Sequence, residues 1–108
     1  MDETDVLKNG CGWDQDHGVT LVGYGTDHTG FLHKKKVDYW IVRNSWDTTF
    51  GEDGYIRLKR YGEGKEPCGM DNAPGDGDGC EGDTTPRKYC GMCGILSDSS
   101  YPTGLTKV

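Results

Sequence analysis

His17 stands in Asp16-His17-Gly18, directly before the run Val19-Thr20-Leu21-Val22-Gly23-Tyr24-Gly25. Asn44 stands in Asn44-Ser45-Trp46, directly after Tyr39-Trp40-Ile41-Val42-Arg43. An imidazole and a carboxamide at the edges of two buried strands suit acid-base chemistry. The amide oxygen can accept a hydrogen bond from one ring nitrogen and fix the tautomer, which leaves the other nitrogen free to activate a nucleophile. The indole of Trp46 can shield that hydrogen bond from water.

Other polar groups offer less. His28 and His33 lie in a hydrophilic stretch with no second ligand pattern around them, and read as exposed loop histidines. The acidic run Asp71-Asn72-Ala73-Pro74-Gly75-Asp76-Gly77-Asp78-Gly79 suggests calcium, a hard cation suited to carboxylate oxygens. However, Ala73 and Gly75 occupy two ligand positions of an EF-hand loop and no flanking helices are visible, so a flexible acidic insert is expected. Lys34-Lys35-Lys36 reads as a solvated hairpin tip. No metal and no cofactor is expected.

These residues need strands to hold them. His17 to Tyr24 reads as one strand, ended by Gly25. Thr26 to Val37 reads as a loop, Asp38 to Arg43 as the next strand, and Asn44 to Gly54 as an irregular loop. Tyr55-Ile56-Arg57-Leu58-Lys59-Arg60 alternates with the period of a half-buried strand. A short strand is expected near Val6-Leu7, a turn at Asn9-Gly10, a loop-rich stretch from Glu63 to Tyr89, and a last strand over Gly94 to Ser97. Few helical stretches are visible, so the fold class is mainly β: an antiparallel sheet curling into a partial barrel, with long irregular loops.

The motifs resemble a known family. Asp16-His17-Gly18 with Val22-Gly23-Tyr24-Gly25, Tyr39-Trp40, Asn44-Ser45-Trp46 and Gly51 to Gly54-Tyr55-Ile56 resemble the C-terminal half of papain-like cysteine proteases. Cys93-Gly94-Ile95 to Ser100-Tyr101-Pro102 resembles the closing segment of the cathepsin L type. The likeness runs from about Asn9 to Pro102 in order, broken by two insert-like stretches. It implies the β-rich right-hand domain of that fold over residues 1–108, with the N-terminal helical domain absent.

The resemblance also implies roles. His17 would be the general base and acid, Asn44 the orienting residue, and Trp46 the cover over their hydrogen bond, with an adjacent imidazolium stabilising a thiolate near neutral pH. The carbonyl of Asp16 would accept a main-chain hydrogen bond from a substrate. Gly18 would line the pocket for the side chain two residues upstream of the cut, with Asp98 at its floor, admitting Arg or Lys beside apolar side chains. Cys11 would bridge to Cys93, closing a loop of about eighty residues and worth about 4 kcal/mol in the chain-entropy model.

Two positions depart from the family. Asp47 stands where glycine usually follows the Asn-Ser-Trp triplet, and Phe50 stands where tryptophan is usual. Phe50 keeps an aromatic surface for the leaving-group side but has no indole N–H. The family's nucleophilic cysteine segment and its upstream glutamine have no counterpart here, so this chain is expected to hold half of an active site. Its expected partners are an N-terminal half carrying the cysteine and protein or peptide substrates. A non-catalytic remnant and a cysteine-rich binding module, with zinc on Cys68, Cys80, Cys90 and Cys93, are the alternatives. Only one C-x-x-C supports the zinc pattern.

Composition fits this reading. The chain has 108 residues and a mean hydropathy of -0.77, so its core must be small, and 18 glycines suggest many turns. A net charge of -6 disfavours nucleic acid as a partner. No apolar run is long enough to cross a membrane, and no membrane partner is expected. The acidic start, Met1 to Asp5, lacks the apolar core of a signal peptide. Five cysteines suggest an oxidising compartment, and the odd count leaves at least one thiol free or paired outside the chain; a lysosomal, vacuolar or secreted location is what the resemblance implies, and the acidic balance is compatible with it. Among Cys68, Cys80 and Cys90, a Cys68–Cys80 bridge is favoured, though the sequence leaves the pairing open.

Overall fold

A computed structural model describes residues 6–108; the acidic start over Met1 to Asp5 lies outside the described residues. The strands are β1 (Val6–Leu7), β2 (Thr20–Thr29), β3 (Lys35–Arg43), β4 (Tyr55–Lys59), β5 (Cys68–Asp71) and β6 (Arg87–Cys90). Short 3-10 turns occupy Phe31–His33, Pro74–Asp76 and Met92–Gly94. The chain is mainly β, as expected, but its sheets are open and do not close into a barrel. One sheet has the order β1-β4-β3-β2 and the other is the pair β5-β6. β1 runs parallel to β4, and the remaining pairs are antiparallel.

Alternation explains where the core sits. Trp40 and Val42 of β3 pair with Leu58 and Ile56 of β4, which places all four on one face. Val42 and Leu58 are buried there with Met92, and Leu7, Cys11, Tyr61, Cys93 and Ile95 pack around them. The other face carries charge: the Arg57 guanidinium donates to Asp27 and Glu52 and lies over the Tyr39 ring. The core is small, as the composition requires. β2 forms the sheet edge, and Leu21, Val22 and Tyr24 on it are at least half exposed.

Several boundaries differ from the sequence reading. β2 begins at Thr20, because its ladder with β3 ends at the Thr20–Arg43 pair, and His17 to Val19 precede it. The supposed loop over Thr26 to Val37 is mostly hairpin: β2 continues to Thr29 and β3 starts at Lys35. Apart from the buried Val37 the residues of that hairpin are mostly polar, and such side chains, Thr26 donating to Asp38 at 2.6 Å among them, hide a ladder made by the backbone. Lys35 and Lys36 therefore belong to a strand, though Lys34 to Lys36 are all exposed. The last strand over Gly94 to Ser97 is absent; Cys93 (φ 57) and Gly94 (φ 70) are left-handed, and the chain turns instead of extending.

The cysteines correct a further expectation. Cys11 is bonded to Cys93, as the resemblance implied, but Cys68 pairs with Cys90, not Cys80. Cys68 and Cys90 are ladder partners of β5 and β6, and the disulfide clasps the base of that hairpin. Cys80 is left free and exposed. Three of the four proposed zinc ligands are thus consumed in disulfides. No group of side chains among the described residues could hold a metal ion. Among them, too, no helix is long and apolar enough to cross a membrane.

The acidic insert is anchored. The Asp78 N–H donates to the Gln15 carbonyl at 2.7 Å, and the Gly75 N–H donates to the Asp83 carbonyl at 3.0 Å. Gly77 must be glycine, because a Cβ there would meet the Gln15 carbonyl. The clasped excursion over residues 68–90 therefore rests on the segment immediately before His17.

Candidate active site

The end of β3 and the segment leading into β2 meet at one rim of the four-stranded sheet. Asn44 is the first residue beyond β3, and its N–H donates to the Gly54 carbonyl at 3.0 Å, which closes the loop between β3 and β4 at its base. Its side-chain oxygen points back toward the start of β2. There His17 Nε2 lies 2.8 Å from Asn44 Oδ1. The amide oxygen can only accept, so Nε2 carries the proton and Nδ1 is the nitrogen left for chemistry. The same oxygen accepts from the Ser45 N–H at 2.7 Å, which holds the carboxamide in orientation.

Aromatic rings line this pair. The Trp46 indole stacks on the His17 ring with centroids 5.1 Å apart and planes 24° from parallel. Phe50 meets Trp46 edge-on at 5.0 Å and 84°. Trp46 is 57% exposed and Phe50 is half-buried, so the indole caps the imidazole from one side and leaves the other open.

The loop that carries these rings is built on tight turns. The Phe50 N–H donates to the Asp47 carbonyl at 3.2 Å, and the Gly54 N–H donates to the Phe50 carbonyl at 2.7 Å. Asp47 sits at φ 73, the left-handed region that glycine fills most readily. Its carboxylate accepts from the Thr48 N–H at 2.6 Å, a local bond that glycine could not make. Gly51, at φ 53, leaves no room for a Cβ against the Tyr55 carbonyl.

Of the residues singled out in the sequence, His17, Asn44, Trp46 and Phe50 come together. Asp16 and Gly18 flank His17 on an exposed stretch, and a Cβ on Gly18 would meet nothing within 4 Å. Asp98 lies elsewhere, in a cavity of about 570 Å³ formed against the clasped excursion. Gln15, Asp71, Asp83, Arg87 and Tyr89 line the same cavity, and Gly18 does not. Burial pushes the Tyr89 phenol up, and the nearby Asp98 carboxylate adds to that shift. Arg87 holds the Asp83 carboxyl below its ordinary range through an ion pair at 2.9 Å.

Sequence reasoning missed Gln15, whose side-chain amide donates to the carbonyls of Trp13 and Cys93 at 3.3 Å each. A lone glutamine in a polar lead-in gives no signal of this. The Cys11–Cys93 bridge beside it does the same work covalently, tying the approach to His17 onto the packed turn after β6.

The sequence resembles known proteins over nearly its whole length. The family described as papain family cysteine protease matches residues 3–103. The cysteine endopeptidase Rep1 of Oryza sativa subsp. japonica is 38% identical over 97 residues, covering 90% of this chain and 18% of that protein. Cathepsin L of Sarcophaga peregrina is 39% identical over 88 residues, covering 82% of this chain and 16% of that protein. The oryzain beta chain of Oryza sativa subsp. japonica is 51% identical over 98 residues, covering 91% of this chain and 14% of that protein. The chain thus spans less than a fifth of the length of each of these relatives. With the paired imidazole and carboxamide at its sheet rim, and a family match that runs from residue 3 to residue 103, this chain belongs to the papain family of cysteine proteases.

Proposed function

We propose that this chain is the C-terminal β-domain of a cysteine endopeptidase and supplies the histidine and asparagine of its active site. The observation that supports this reading is the 2.8 Å contact of His17 Nε2 with Asn44 Oδ1 beneath a stacked indole. Four of the five cysteines are in disulfides and Cys80 belongs to the excursion, so the nucleophilic sulfur comes from an N-terminal half.

In the proposed reaction, Nδ1 of His17 takes the thiol proton and the imidazolium stabilises the thiolate. The sulfur attacks the peptide carbonyl carbon, a C–S bond forms, and the carbonyl π pair moves to oxygen. As the oxyanion collapses the C–N bond breaks, and the departing nitrogen takes the imidazolium proton. Water, giving its proton to the same imidazole, then hydrolyses the thioester. Asn44 keeps Nε2–H engaged throughout, while Trp46 and Phe50 limit access of water to that bond.

Peptide or protein is the proposed substrate. The Asp16 carbonyl accepts from the substrate backbone, and Gly18 forms the open edge of the pocket for the side chain two residues upstream of the cut. Asp98 lines a separate cavity with Gln15 and not with Gly18, so Asp98 is not carried forward as the acidic floor of that pocket. A lysosomal, vacuolar or secreted location fits the two disulfides.

The test is to combine the chain with a separately produced N-terminal half that carries the cysteine. An epoxide thiol inhibitor is expected to label that cysteine in the combined species, and His17→Ala is expected to abolish labelling and peptide hydrolysis. A combined, folded species that neither reacts nor cleaves would refute the peptidase reading.

A further inference from the structure

We infer that the tip of the β2–β3 hairpin docks on an anionic phospholipid surface, with Phe31 and Leu32 entering the interface and Lys34 and Lys35 meeting the headgroups. Phe31 is 86% exposed and Leu32 67% exposed, side by side in the short turn Phe31–His33 that joins the strands. The turn is closed by the His33 N–H, which donates to the Gly30 carbonyl at 3.0 Å. The Lys35 stem packs over Gly30, where a Cβ would meet Lys35 Cγ at 3.2 Å. Leu32 (φ 59) and His33 (φ 53) are both left-handed, a conformation that residues with a Cβ adopt at a cost. The turn thus strains two residues in order to hold two large apolar side chains in water, and it contributes nothing to the core. Such an arrangement is explained by an apolar phase outside the chain.

The charge around the tip names that phase. From His28 to Val37 there are three lysines, two histidines and no acidic residue, in a chain whose net charge is -6. The nearest carboxylates on the two strands are engaged: Asp27 pairs with Arg57 at 2.9 Å, and Asp38 takes Lys36 at 3.8 Å. Lys34 and Lys35 are exposed and form no ion pair among the described residues. Attachment at a bilayer interface strengthens when buried apolar area and attraction to anionic lipid act together, and the tip offers both. The lysine run alone reads as a solvated tip; the exposed apolar pair beside it changes its meaning. A soluble polyanion would use the lysines and leave Phe31 and Leu32 in water. A second copy of this chain would bring two lysine clusters together. The N-terminal half proposed above must reach His17 and Asn44, and these lie at the opposite end of the ladder: Thr20 pairs with Arg43 there and Thr29 with Lys35 at the tip, roughly 30 Å apart at ~3.3 Å per residue. The tip would lie at the interface and cross nothing, so a membrane-spanning helix is not required.

The test is cosedimentation of the 108-residue chain with vesicles of equal parts phosphatidylcholine and phosphatidylserine, and in parallel with phosphatidylcholine alone. The chain is expected to sediment with the mixed vesicles, to bind the neutral ones at least about tenfold more weakly, and to be released by salt. Phe31→Ser and Leu32→Ser should each weaken binding to mixed vesicles by about tenfold, and Lys34→Gln and Lys35→Gln by about fivefold each. All four side chains are exposed, so circular dichroism of the variants should match wild type. Equal binding to the two vesicle types, or serine variants that bind like wild type, would overturn the inference. So would a tip that associates with itself in the absence of lipid, or one that takes a soluble sulfated polysaccharide whether or not Phe31 and Leu32 are present. Adding the N-terminal half should leave vesicle binding unchanged; its loss in the combined species would show that the half covers the tip and would overturn the inference too. Every readout is independent of catalysis, so the result stands apart from that of the peptidase reading.

Discussion

Replacing Asn44 with alanine removes the acceptor for His17 Nε2–H and leaves the sheet intact. The bond is 2.8 Å long and becomes charge-assisted whenever the imidazole is protonated, which places it at about 1.5–3 kcal/mol. His17 is exposed and Trp46 covers only one face of it, so water can replace part of the lost bond, and the lower half of that range applies. At about 1.4 kcal/mol per factor of ten, Asn44→Ala should lower kcat/KM of the combined two-chain species by about 10- to 40-fold. The loss should fall on kcat, because Asn44 orients the imidazole without touching substrate. The Ser45 N–H also loses its acceptor, which should cost about 1 kcal/mol of stability. Peptide-amide hydrolysis gives the rates, and ¹⁵N chemical shifts of the His17 ring report in the isolated chain whether Nε2 remains the protonated nitrogen. Rates within twofold of wild type, together with unchanged ring shifts, would show that Asn44 does not orient the imidazole.

The remaining predictions concern the frame around the pair. In the chain-entropy model the Cys11–Cys93 bridge, with a separation of 82 residues, is worth about 4.5 kcal/mol, and the Cys68–Cys90 bridge, with a separation of 22, about 3.4 kcal/mol. The Cys11→Ser/Cys93→Ser pair should therefore lower urea stability more than Cys68→Ser/Cys90→Ser, and peptide mapping should find Cys80 alone alkylated without reduction. Asp47→Gly should change stability by less than about 1 kcal/mol, since relief at φ 73 offsets loss of the Thr48 bond, whereas Asp47→Ala keeps the strain, loses the bond and should cost about 1–2 kcal/mol in urea melts. Arg87 and the Thr85 N–H hold the Asp83 carboxyl below its ordinary value of 3.8, so its stabilising contribution is present above that value and lost as pH falls through the lower folded value. Wild type should thus lose more stability than Asp83→Asn between pH 7 and pH 2, and equal losses in urea titrations would count against that pair.

The residues that meet at the sheet rim were easier to read from the sequence than the frame that brings them together. His17, Asn44 and Trp46 announce themselves because each is a reactive or shielding type beside an apolar run, and such types have few uses there. Register carries no comparable signal. The start of β2 at Thr20 depends on where Arg43 ends its partner, and residue type does not encode that pairing. The β2–β3 hairpin reads as loop because its side chains around the buried Val37 are mostly polar and show no apolar alternation, while its backbone still pairs. The excursion misleads for a related reason. Its Gly- and Asp-rich middle has the composition of a linker, yet Cys68 and Cys90 close it as ladder partners and the Asp78 N–H fastens it to Gln15. The Cys68–Cys80 expectation fails on the same fact, since nearness in sequence is a poor guide once a hairpin brings its ends together.

The two departures from the family pattern bear on whether the site can work. What the proposed reaction would ask of the loop after Asn44 is that it hold the carboxamide and present a ring over the imidazole. The backbone bonds from Asn44 to Gly54 and from Phe50 to Asp47 define that loop, and neither depends on the side chain at position 47 or 50. Asp47 adopts the left-handed conformation and recovers a bond to the Thr48 N–H, so the glycine-like turn survives. Phe50 still meets Trp46 edge-on, and Trp46 still stacks on His17. What Phe50 cannot supply is an indole N–H, which the resemblance would place on the leaving-group side. Any deficit should therefore appear in how substrates are bound beyond the cut, and the bond between imidazole and carboxamide should be as competent as it would be with glycine and tryptophan in those places.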